Sequence, residues 1–210
     1  MADFVLYGAD YSVYTRIPRL VLEEAKADYR LEPVDIFADD GPPPGYLARQ
    51  PFRKIPLLEH GDFEVYETDA IVDYIVAVTG APLVPAEPRR RARMRQIMRI
   101  MDNYGYPVLM WDLYVVECER KAAVSAETVS AGERVLRAVE DLTAGPLMSG
   151  DDLTLADCWA VPTMAYLRCA PTGRALLGAH PRLMEWWSIV SQRPSVAATR
   201  FPDERAAPAP

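Results

Sequence analysis

The sequence predicts an α/β domain followed by an all-α domain, and three observations carry that division. Strand-like apolar runs end at Tyr66, a proline-spaced stretch covers Ala81 to Pro88, and beyond it apolar residues recur only at helical spacing. The expected organisation is residues 1–80 for the α/β domain, 81–88 for a semi-rigid linker, 89–200 for the helical domain and 201–210 for a fraying tail.

Phe4-Val-Leu-Tyr7 is a short apolar run stopped by Gly8 and reads as a strand. From Arg16 to Lys26, Ile17, Leu20, Val21 and Leu22 share one helical face, with Pro18 early in the run. Leu31-Glu-Pro-Val34 reads as an edge strand, because Pro33 cannot donate to a ladder. The first unit is then β-α-β with a parallel pair. Residues 39–45 carry three prolines between glycines and must be a loop. Ile55-Pro-Leu-Leu58 and Phe63-Glu-Val-Tyr66 form a hairpin through a four-residue turn, Glu59 to Asp62. Thr68 is suited to cap the next helix, in which Ile71, Tyr74, Ile75 and Val78 recur up to Gly80.

The second half repeats the helical pattern. Met94, Ile97, Met98 and Met101 form one stripe; Val135, Leu136, Val139 and Leu142 form another. Gly105 and Pro107 should interrupt the first of these helices and bend it. Thr154-Leu-Ala-Asp157 has the form of a capping box with Asp in place of Glu, opening a buried helix through Trp159, Val161, Met164 and Leu167 that Pro162 should kink. Pro181 can start a further helix that runs to Arg193-Pro194.

Composition excludes several classes. With 23 Lys and Arg against 30 Asp and Glu, the net charge of -7 offers a polyanion no footprint. The one basic cluster, Arg89, Arg90, Arg91, Arg93, Arg95 and Arg99, reads as a solvated helix face or a subunit interface, so no nucleic acid is expected. No run reaches the roughly 18 apolar residues of a membrane span, and Met1-Ala2-Asp3 lacks the layout of a signal peptide. No membrane and a cytoplasmic address are the expectations. Cys118, Cys158 and Cys169 form neither a CxxC pair nor a zinc spacing and read as reduced, packed thiols. His60 and His180 assemble no metal set, and neither reads as a general base.

Five segments in this order resemble the cytosolic glutathione S-transferases of the serine-type, bacterial-like kind. They are Ser12-Val-Tyr-Thr-Arg16, Gln50-Pro-Phe-Arg-Lys-Ile-Pro-Leu-Leu58, Glu67-Thr-Asp-Ala-Ile71, Thr154-Leu-Ala-Asp157 and Arg193-Pro-Ser-Val196. The resemblance implies a thioredoxin-like βαβ-ββα domain that holds glutathione, followed by a helical bundle. It implies an enzyme of that family, a homodimer, with glutathione as co-substrate, no metal and a small hydrophobic electrophile as second substrate. A glutathione-dependent isomerase or dehalogenase would use the same half-site, and a non-catalytic scaffold would keep the fold.

The resemblance places Ser12 where the family activates the thiol, with Tyr11 and Tyr14 as alternative donors. A hydroxyl that donates to sulfur stabilises the thiolate, and a helix N-terminus adds partial positive charge. No cysteine precedes Cys118, which excludes the variants that need a sulfur nucleophile in this loop. Ile55-Pro56 matches the family's cis-proline site, where the Ile55 backbone would pair with glutathione as an added strand; a trans bond is the plain alternative. Glu67 and Thr68 match the pair that grips the γ-glutamyl end, and Lys54 or Arg53 would meet the glycyl carboxylate. Arg53 stands where the family more often has glycine and Gln50 where asparagine is common. Tyr104, Tyr106, Met110, Trp111 and Tyr114 would supply the apolar wall for the electrophile between the domains.

Overall fold

Strand β1 (Phe4–Gly8) is apolar along its length because both faces of the sheet around it are covered. It pairs in parallel with β2 (Tyr29–Pro33) and antiparallel with β3 (Leu57–His60), which pairs antiparallel with β4 (Phe63–Tyr66). The order is β2-β1-β3-β4, so Pro33 does lie on an edge strand. The computed structural model describes residues 4–39 and 41–206. Asp40 of the predicted loop and residues 207–210 of the predicted tail lie outside them.

Helix α1 (Val13–Glu24) connects the parallel strands, α2 (Pro44–Leu47) is a single turn, and α3 (Thr68–Thr79) follows β4. Val13, Ile17, Leu20 and Val21 of α1 and Ile71, Val72 and Ile75 of α3 are buried, and the two helices pack together. The hairpin turn is tighter than predicted: Glu59 and His60 continue the ladder opposite Glu64 and Phe63, leaving only Gly61 and Asp62 in the turn. Gly61 supplies the positive φ, 65°, that its first position requires. Gly8 is needed for another reason. A Cβ there would sit 2.4 Å from Oγ1 of Thr15, so the end of β1 could not approach α1 as closely as it does.

The chain divides after Pro82, inside the stretch 81–88. The first unit runs to Pro82 and takes back Ala198–Pro202; the second holds Leu83–Ala197 and the residues from Asp203. Leu83 belongs to the second unit because it is buried and its carbonyl accepts from Leu155 N–H at 3.0 Å. The returning segment closes the first unit through Arg16 Nε, which donates to Thr199 Oγ1 at 3.3 Å, and Arg19 Nη2, which donates to the Ala198 carbonyl at 3.3 Å. The expected fraying from Phe201 is corrected here: Phe201 is buried and Pro202–Ala206 is helical (α10).

The second unit is helical: α4 (Pro88–Ile100), a π-helical segment (Met101–Glu119), α5 (Ala126–Leu142), α6 (Leu155–Cys169), α7 (Pro171–Gly178), α8 (Pro181–Val190) and α9 (Pro194–Ala198). The expected interruption at Gly105 and Pro107 is absorbed in winding. The segment widens to π geometry, as at its end where Arg120 N–H reaches the Val115 carbonyl five residues back at 2.9 Å. At the start of α6, buried Asp157 accepts from Thr154 N–H at 2.8 Å and Thr154 Oγ1 at 3.0 Å. It also accepts from Met148 N–H and Trp186 Nε1, each at 2.9 Å. Burial pushes its carboxyl up, and these donors oppose that shift.

Candidate active site

The register of the sheet gathers the predicted residues at one edge. Tyr7 opposes Leu57, Leu57 opposes Tyr66, and Gly8 opposes Pro33. The loop Ala9–Ser12 after β1, Ile55-Pro56 before β3 and Glu67-Thr68 after β4 therefore leave the sheet on the same side. Three neighbouring strands span about 10 Å at roughly 4.8 Å per step. An extended tripeptide is about as long, at some 3.4 Å per residue. The N-termini of α1 and α3 open at this edge, so the positive dipole ends of both helices lie there.

Ser12 is the N-cap of α1. Its backbone is extended, at φ -79° and ψ 124°, and its Oγ accepts from Thr15 N–H at 3.2 Å. Capping consumes one lone pair and leaves the hydroxyl proton to donate, so cap and donor are compatible roles in one residue. Tyr11 is engaged otherwise: its O–H donates to Asp35 Oδ1 at 2.7 Å. Burial holds that phenol well above its usual range, with Asp35 adding to the effect. Tyr14 is half-buried on the first turn of α1.

The Ile55-Pro56 bond is cis. Ile55 packs with Val34, Tyr46 and Leu57 under this edge of the sheet. Among the described residues its N–H and C=O have no protein partner, which leaves both for a strand-like guest. Lys54 is exposed, and its carbonyl is fixed by Tyr46 O–H at 2.6 Å. Glu67, not Thr68, is the N-cap of α3; Thr68 is the first helical residue and is buried. Glu67 holds φ 71° and ψ 116°, a conformation a side chain rarely adopts and one that concentrates at functional sites.

The sequence departures resolve into structure. Arg53 adopts φ 57°, so the left-handed conformation that glycine would supply is kept with a side chain in place. Gln50 is buried, and its Oε1 accepts from Phe52 N–H at 2.9 Å and Lys54 N–H at 3.1 Å. It fixes the loop that leads to Ile55. The supporting roles of Gln50, Tyr46 and Asp35 were not predicted; the only signal was their position in the segments that join the strands.

The five residues assigned to the electrophile divide. In the second unit Tyr114 is core: its O–H donates to Asp203 Oδ2 at 2.6 Å and its ring lies 4.7 Å from that of Tyr166. Met110 is buried too. Tyr104 and Trp111 are exposed and Tyr106, half-buried, meets Trp111 edge-on at 6.3 Å. The split arises because Met110 and Tyr114, four apart, share one face of the segment, and that face packs into the core.

Burial pushes the Cys169 thiol up to about 11 and also raises Cys118, so neither is a ready nucleophile. Among the described residues no set of three metal-ligating side chains converges, and no helix is long and apolar enough to cross a membrane.

The chain is similar to known proteins along most of its length. A family model described as glutathione S-transferase, N-terminal domain, matches residues 6–82, and one described as glutathione S-transferase, C-terminal domain, matches residues 72–194. Glutathione S-transferase 4 of Zea mays is 30% identical over 90% of this chain and 88% of its own, and glutathione S-transferase 1 of the same plant is 29% identical over 93% and 95%. The crystal structure of maize glutathione S-transferase I in complex with an atrazine glutathione conjugate superposes with a TM-score of 0.82 at 27% identity, covering 94% of this chain and 96% of that one. Glutathione transferase F7 from Populus trichocarpa gives 0.81 at 25%, covering 93% and 97%.

Proposed function

The chain belongs to the glutathione S-transferase family, and from that premise we propose that Ser12 donates its hydroxyl proton to the sulfur of bound glutathione and so holds it as the thiolate. The protein is a glutathione transferase, and glutathione is its co-substrate. The observation that carries the assignment to Ser12 is its cap geometry: Thr15 N–H fixes Oγ while the O–H stays available at the N-terminus of α1. Tyr11 is the weaker reading because its proton is committed to Asp35.

A free thiol near pKa 8.5 is mostly protonated at neutral pH, and lowering it by about 2 units takes about 2.7 kcal/mol. One charge-assisted hydrogen bond with a helix dipole is of that size. The thiol proton passes to solvent as the thiolate forms. In a substitution the sulfur then makes a bond to carbon while the halide leaves with the bonding pair; in an addition the carbon framework takes the pair. The Ile55 backbone would align the cysteinyl residue, Pro56 keeping it turned toward the guest. Glu67 and Thr68 would take the γ-glutamyl end and Lys54 the glycyl carboxylate. Tyr104, Tyr106 and Trp111 remain the surface we assign to a hydrophobic electrophile.

A homodimer and a cytoplasmic location complete the reading. Phe52, 62% exposed, and the arginines of α4 support the first, and three free thiols are consistent with the second. Retention on immobilised glutathione, followed by titration of the bound thiol, tests the site. Retention with a depressed thiol pKa is expected; no retention refutes the assignment. Light scattering in solution tests the dimer.

A further inference from the structure

The loops that follow the two parallel strands meet beside Ser12. Gly8 and Pro33 are opposed, and Val34 N–H donates to the Gly8 carbonyl at 2.9 Å, carrying the pairing one step past the strands. The next residue, Asp35, accepts twice on a single oxygen. Its Oδ1 takes Tyr11 O–H at 2.7 Å and Phe37 N–H at 2.8 Å. The two rings so held lie 6.0 Å apart, within contact range for an aromatic pair, and Phe37 is 65% exposed. The Tyr11 and Phe37 hydrogen bonds hold the Asp35 carboxyl below its ordinary range, so it stays an acceptor at neutral pH.

We propose that Asp35 is a positioning residue for aromatic electrophiles, bracing Tyr11 and Phe37 as one aromatic surface next to the Ser12 hydroxyl. This rests on the assignment of Ser12 above. An exposed phenylalanine beside a thiolate site is of use to a flat, electron-poor ring, which gains by stacking, and of little use to a small aliphatic electrophile. The phenol of Tyr11 then contributes its ring, while its proton serves the brace.

The test compares chlorodinitrobenzene with iodomethane at saturating glutathione, alongside the ultraviolet absorbance of the bound thiolate and the melting temperature. Asp35→Ala should raise KM for chlorodinitrobenzene about three- to tenfold, the range an aromatic contact is worth. KM for iodomethane and thiolate ionisation should stay unchanged. Asp35→Asn keeps an acceptor oxygen and should restore most of the loss. Tyr11→Phe in the Asp35→Ala background should cost less than it does in the wild type, since the Asp35 bond it removes is already gone. An unchanged ratio between the two electrophiles, or an equal loss for both that follows the melting temperature, overturns the proposal alone. Wild-type protein that fails to ionise glutathione overturns it together with the role of Ser12.

Discussion

Replacing Ser12 with alanine removes two interactions that one oxygen supports. The first is the cap bond to Thr15 N–H at 3.2 Å, worth about 1 kcal/mol of stability. The second is the bond to the bound sulfur, worth about 1.5–3 kcal/mol because its acceptor is charged. At about 1.36 kcal/mol per pKa unit, losing the second raises the bound thiol by roughly 1–2 units. Below both pKa values the thiolate fraction then falls about ten- to a hundredfold, and conjugation at neutral pH should slow by about an order of magnitude. The wild-type rate should rise with pH through the bound thiol's pKa and level off, and in the variant that rise should move to higher pH. Ser12→Asp separates the two roles. Its carboxylate can still cap Thr15, restoring the melting temperature, but it puts a negative charge beside the sulfur and should depress activity further. Thiol absorbance against pH, with thermal melts of the same samples, reads both quantities. A bound thiol that titrates unchanged in both variants, or activity that simply tracks the melting temperature, would refute the reasoning.

Arg53→Gly should stabilise the protein by about 0.5–1 kcal/mol: the left-handed backbone at φ 57° costs a side chain roughly 1–2 kcal/mol, and glycine returns part of that gain as backbone entropy. A small rise in melting temperature would show it. Asp157→Ala leaves the N–H groups of Met148 and Thr154 and the Trp186 indole without their acceptor in a buried site, so denaturant melts should record a loss of more than about 3 kcal/mol. Acid should weaken the second unit through Glu140. Burial works against its charge, yet His180 Nδ1 at 2.7 Å and Arg182 N–H at 3.0 Å hold its carboxyl below the ordinary range. The folded state thus binds fewer protons than the unfolded one; the contribution is full above the ordinary carboxylate pKa and is lost as pH falls through the depressed value. Acid unfolding of Glu140→Gln should accordingly show a flatter dependence on pH.

The strands and their succession along the chain were legible because period and punctuation agree there: Phe4-Val-Leu-Tyr7 is stopped by Gly8, and Pro33 marks an edge. The hairpin turn was misread because Glu59 and His60 look like turn residues, although their neighbours on β1 hold them in the ladder. Spacing could place Ser12 at a helix start but could not show whether its oxygen was free, since that depends on where Thr15 N–H points. Tyr11 stood as an alternative donor until its partner, 24 residues away in sequence, was known. The aromatic run from Tyr104 to Tyr114 was legible only in part, because residue type does not say which side of a helix meets the core, and Tyr114 meets Tyr166 and Asp203.

The return of Ala198–Pro202 to the first unit gives that unit a timetable. On the ribosome, residues up to Pro82 emerge while Thr199, which in the folded protein meets the buried Arg16 guanidinium, has yet to be made. At about 5–20 residues per second the intervening stretch takes roughly 6–23 s to synthesise. Through that interval the first unit waits unsealed, and a segment made more than a hundred residues later completes it.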